Sequence, residues 1–128
     1  MLITDSKTLK ALKKEFTQKF PYLKIEFYKG KHVDGQASHV QKQIDDQMEI
    51  GKVRTIHSEG DLSISGNLKV STFENRFWDQ YGLNVQVFRR SGNLWLQTTT
   101  TDHWTLSEQN GKGERSERSY QEMHNEES

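Results

Sequence analysis

Residues 70–90 read VSTFENRFWDQYGLNVQVFRR, and their pattern changes period part-way along. Val70, Phe73, Phe77 and Tyr81 are spaced three, four and four apart, which places them on one face of a helix. Leu83, Val85 and Val87 then alternate with Asn84, Gln86 and Phe88, the period of a strand with one face buried. Gly82 sits at the junction, where a left-handed residue ends a helix at no steric cost.

The same grammar occurs 61 residues earlier. Leu9, Leu12, Phe16 and Phe20 repeat the helical spacing, Pro21 stops the helix, and Leu23, Ile25 and Phe27 alternate. Lys29 and Arg89 close the two strands, and Tyr22 is one extra residue between the registers. This is the echo that a duplicated helix–strand unit would leave. Ser71 with Glu74 reads as a capping box for the second helix, which favours Val70 as the end of a short strand over Val70 as the start of the helix face, and Asp5 or Ser6 reads as the cap of the first.

Between the two units, Ser38 and Gln41 fit another capping box, followed by Val40, Ile44 and Met48, with Gly51 as the expected stop. Residues 52–57, 61–65 and 68–70 read as strands, the last two joined by a Gly66-Asn67 turn. Leu83–Arg90 and Leu94–Thr101 flank Ser91-Gly92-Asn93, the strongest hairpin signal in the chain. Thr105 and Glu108 cap a last short helix that is expected to end near Asn110-Gly111. From Asn110 to Ser128 only Tyr120 and Met123 are large and apolar, so this stretch is expected to be a polar, disordered tail. The expected organisation is a single α+β domain over residues 1–109: a mostly antiparallel sheet of five or six strands with two main helices on one face. Phe16, Phe20, Ile25, Phe27, Phe73, Phe77, Val85, Val87, Leu94 and Leu96 are its expected core.

Composition narrows the function. The chain has 128 residues, with 18 Lys+Arg against 18 Asp+Glu, which speaks against coating nucleic acid or anionic membrane by bulk charge. The balance is uneven, because residues 1–32 hold eight Lys against three acids. Those lysines fall mostly on the outside of the first helix, an ordinary solvated face. With no Cys there is no disulfide framework, thiolate metal site or Cys nucleophile. No apolar run approaches the length of a membrane span and the N-terminus lacks a signal-peptide pattern, so a cytoplasmic protein without membrane association is expected.

Catalytic signatures are missing: there is no Gly-x-Ser-x-Gly elbow, phosphate-binding Gly-x-x-x-x-Gly-Lys loop or His-Glu-x-x-His pair. His32, Asp34 and His39 could offer two nitrogens and an oxygen to a metal, but their spacing across a Gly-containing loop defines no recognisable site. Asp102-His103 beside the run Thr98 to Thr101 invites a nucleophile–base reading, weakened because neighbours on a strand point to opposite faces. Glu59 and Asp61 flank a turn, where exposed acids are common. No catalytic residue, metal ligand or cofactor is therefore assigned.

Strand parity gives the candidate site. If Ile25, Phe27, Val85, Val87, Leu94 and Leu96 point inward, Tyr28, Phe88 and Trp95 share the other face with Gln86 and Gln97, and Arg89 and Arg90 lie at its rim. Aromatic rings among amides and arginines are typical of a contact surface, unless the middle segment or the last helix, with Trp104 and Leu106, covers them. The expected role is a non-enzymatic binding or assembly module that contacts protein, including a second copy of itself. Stacking of single-stranded nucleic acid on the rings is the alternative, and a small hydrolase or metal enzyme is a second.

Overall fold

A computed structural model describes residues 1–30, 42–58 and 60–126. The order of elements is β1 (Leu2–Ile3), α1 (Leu9–Lys19), β2 (Leu23–Tyr28), α2 (Ile50–Val53), β3 (Gly60–Asp61), α3 (Val70–Tyr81), β4 (Asn84–Ser91), β5 (Leu94–Gln97), a 3-10 turn (Thr99–Thr101) and α4 (Leu106–Glu126). The class is α+β, as expected, but among the described residues five antiparallel strands are divided between two small sheets. One has the order β2-β4-β5 and the other pairs β1 with β3. Three main helices among the described residues, not two, accompany them.

The helical stripes meet as their spacing requires. Leu9, Leu12 and Phe16 of α1 and Val70, Phe73, Phe77 and Tyr81 of α3 are buried against Leu23, Ile25, Phe27, Val85 and Val87. Phe16, Phe73, Phe77 and Phe27 form a chain of rings with successive centroids 5.2, 5.1 and 6.0 Å apart. Gly82 caps α3 with φ +63°, and Gly92 turns the hairpin with φ +60°.

The helix starts follow a rule that local sequence does not announce. The first amides of α1 and α2 bond to the chain that precedes the opposite helix: Leu9 to the Met48 carbonyl at 3.0 Å, Lys10 to Asp46 at 2.8 Å, Ile50 to Lys7 at 2.8 Å and Gly51 to Asp5 at 3.0 Å. At the α3 and α4 starts, Val70 donates to Trp104 at 2.9 Å, Ser71 to Asp102 at 2.8 Å, Leu106 to Leu68 at 2.8 Å and Ser107 to Gly66 at 3.0 Å. In both pairs the acceptors lie two and four residues before the partner helix. Amides left unpaired at a helix start are thus satisfied by a reciprocal exchange of backbone bonds.

This exchange corrects the expected caps. Thr8, not Asp5 or Ser6, caps α1, accepting from the Ala11 amide at 3.2 Å. No Ser71–Glu74 box forms, since Lys69 precedes α3 and Ser71 bonds to Asp102. Glu74 is instead buried and accepts the amide of Val87 in β4 at 2.9 Å. The Thr105–Glu108 box does form, with bonds of 3.2 and 3.1 Å.

Three other expectations change. Ile44 and Met48 do not lie on a helix that stops at Gly51; Gln43 bridges to Tyr28, and Gly51 is inside α2, where a Cβ would meet the Asp5 Cβ at 2.7 Å. Ser38, Val40 and Gln41 lie outside the described residues. Residues 52–57 and 68–70 form no strands, and β3 is only Gly60–Asp61. The expected tail is helical, because α4 runs through Gly111 and Gly113 as far as Glu126. Polar contacts anchor it where apolar groups are scarce: the Tyr22 amide donates to Asn110 Oδ1 at 2.9 Å, Arg89 to Gln109 Oε1 at 2.8 Å, and the Gly92 amide to Ser116 Oγ at 2.8 Å. A Cβ at Gly113 would stand 3.0 Å from the Tyr22 Cβ, so glycine lets the helix approach β2.

Asp5 joins distant segments by accepting from Arg54 Nε at 2.8 Å, while the Arg54 side chain is buried. Burial raises the Asp5 pKa, but hydrogen bonds and charge from Arg54 and His57 outweigh it and hold the carboxyl below its usual 3.8. A carboxyl with a lower pKa folded than unfolded adds stability that is present above pH 3.8 and lost as pH falls through the lowered value. Urea unfolding midpoints are expected to drop below that pH, and to drop less in Asp5→Asn. Equal acid sensitivity of the two proteins would contradict this assignment.

Candidate functional site

The β2–β4 register sets the outer face in rows: Tyr28 opposite Asn84, Glu26 opposite Gln86, and Lys24 opposite Phe88. Across β4, Phe88 pairs with Gln97 and Arg90 with Trp95. The parity expected for Tyr28, Gln86, Phe88, Trp95 and Gln97 is therefore present, but the rings do not form one platform. Tyr28 is buried, with its hydroxyl pKa pushed up to about 12 by burial and then by the Glu26 charge. Glu26 and Gln86 are buried in the middle row, where the Glu26 carboxylate takes Lys13 Nζ at 2.9 Å and Gln43 Nε2 at 2.6 Å. This network separates Tyr28 from Phe88 and Trp95.

The second group is an aromatic–cation cluster. Lys24 Nζ lies 5.1 Å from the Phe88 ring centre and 5.3 Å from that of Trp95, and the Arg90 guanidinium lies 5.2 Å from Trp95. Cations over the rings take up faces that a nucleic-acid base would use. Arg89 belongs elsewhere: it shares the inner face with Val87, bonds to Gln109 and lies 5.7 Å from the Trp104 ring. Burial lowers its pKa, and its visible role is to seat α4.

The hairpin departs most from expectation. Leu94 and Leu96 have the parity of Val87 but are not core. They are 67% and 48% exposed, and Trp95 between them is 36% exposed. The helices pack on β2 and β4, and β5 projects past that layer as the outer strand. Three consecutive large apolar side chains are thus presented on both faces of a sheet edge. The register turns the Leu94 and Leu96 backbone groups toward β4 and those of Trp95 away from it.

At the other end of the outer face, Tyr28 lines a cavity of about 780 Å³ with Ile44, Met48, Val53, Trp78 and Leu83. The sequence reading missed it because its walls come from four separate segments. One signal was available: Trp78 is a large ring lying one position off the buried stripe of α3.

Among the described residues the catalytic candidates are not assembled. Thr98 is buried and its hydroxyl donates to the Val87 carbonyl at 2.9 Å; Thr101 accepts from Gln109 at 2.8 Å. Asp102 and His103 lie in the turn before α4, not on a strand. His32, Asp34, His39 and Glu59 lie outside the described residues. Among the described residues no group of three or more His, Asp or Glu side chains is placed to hold a metal, and no helix is long and apolar enough to cross a membrane. Comparisons with protein families, curated proteins and solved structures find no match for this chain.

Proposed function

We propose that this protein is a binding and assembly module whose contact strand is β5, and that the partner is protein, in the first instance a second copy of the chain. The observation that carries this reading is the exposure of Leu94, Trp95 and Leu96 on an outer strand. Natural sheets protect such edges with charge, Pro or a covering element, and residues 94–101 contain neither charge nor Pro. A strand added alongside would gain backbone bonds at Trp95 and cover apolar side chains on both faces. A second copy meets the same need symmetrically, since antiparallel pairing centred on Leu96 sets Leu96 against Leu96. The balanced charge of the chain adds little repulsion.

Light scattering across micromolar to millimolar protein is expected to give a dimer that Leu96→Lys converts to monomer. Leu96 is exposed, so the substitution should change stability by less than about 0.5 kcal/mol. A wild-type monomer throughout, or a dimer untouched by Leu96→Lys, would overturn this assignment.

We further infer that the two halves arose by duplication. The starts of α1 and α3 are separated by the 61 residues of the sequence echo, and the reciprocal exchange of amides recurs at both helix pairs.

A further inference from the structure

We propose that the cavity beside Tyr28 is a binding site for a small amphipathic acid, a carboxylate carried on an aliphatic chain or an aromatic ring. This inference does not involve β5. Its volume of about 780 Å³ lies within the range of small-molecule sites. Ile44, Met48, Val53, Trp78 and Leu83 provide apolar walls that would favour a hydrocarbon body.

The rim selects the polar end. Lys29 and Lys52 both line the cavity, and neither makes an ion pair among the described residues. Among the described residues the opposing charge is Asp45, whose carboxylate accepts the Gln47 amide at 2.8 Å in its own turn. Two ammonium groups against one carboxylate favour an anionic head over a cationic one. Tyr28, a neutral phenol near pH 7, adds a hydroxyl donor to the wall.

Sodium decanoate, decanol and decyltrimethylammonium share a chain and differ in head charge, so they separate hydrophobic filling from acid recognition. Binding would be followed by backbone amide shifts and tryptophan fluorescence. Decanoate is expected to shift amides at Ile44, Met48, Val53 and Leu83 and to bind about tenfold more tightly than the ammonium compound. The double variant Lys29→Gln/Lys52→Gln should lose that preference while keeping the wild-type circular dichroism spectrum. Equal binding of the three probes, no amide shifts, or decanoate shifts confined to residues 94–96 would each overturn the proposal. The last result would place the apolar probe on the β5 edge instead.

Discussion

Replacing Phe73 with Ala is expected to lower the free energy of unfolding by about 3–5 kcal/mol, the cost of removing a large ring from a packed interior. Phe73 is fully buried, and its ring lies 5.2 Å from Phe16 of α1 and 5.1 Å from Phe77 of its own helix. It therefore links the two helical stripes, and the chain of rings continues to Phe27 on β2. Two terms act together: transfer of the lost ring to water and the cavity left where surrounding side chains cannot follow. Because the neighbours belong to different elements, little collapse is expected without disturbing the helix packing. Urea unfolding followed by far-UV circular dichroism would measure the effect. A loss below about 1 kcal/mol would mean that the α1–α3 contact is not the tight junction described here.

The legible part of the fold is the part governed by periodicity. The α1 and α3 stripes, Gly82 as a stop, and the alternation of β2 and β4 all depend on residues within a few positions of each other. What was illegible depends on partners far along the chain. Glu74 sits where a capping box predicts it, but the first amides of α3 donate to the Trp104 and Asp102 carbonyls, and Glu74 accepts from Val87 instead. The same cause hid α4, whose anchors are polar side chains and a close glycine contact rather than an apolar stripe.

Strand parity specifies a direction and not an environment. Tyr28 points outward from the sheet and is nevertheless buried, whereas Leu96 has inward parity and is exposed. The difference is the reach of the covering elements, which alternation along one strand does not encode. For the same reason the exposed apolar surface lies on an outer strand and not on a three-ring platform. The residues were near the relevant surface, but the neighbours that decide their exposure were not in the local pattern.

The second large effect is expected at Gly82, where Gly82→Ala should destabilise the protein by about 3 kcal/mol. Two costs combine there. The left-handed conformation at φ +63° penalises a side chain by about 1–2 kcal/mol. An added Cβ would also stand 2.0 Å from Thr55 Oγ1 and 2.9 Å from the backbone nitrogens of Thr55 and Ile56. The hydroxyl can rotate away, but the backbone nitrogens cannot, so the segment after α2 must shift, at a further cost of about 1–3 kcal/mol for a forced displacement. Thr55→Ala/Gly82→Ala separates the contributions: it removes the hydroxyl contact and leaves both the φ penalty and the backbone clash. Its stability is therefore expected to recover only in part. Full recovery would assign the whole effect to one side-chain contact, whereas a neutral Gly82→Ala would contradict the close approach of α3 to the segment after α2. Because Gly82 and Thr55 both line the cavity, the shift should also move the amides of Val53 and Leu83, linking the helix stop to the shape of the proposed site.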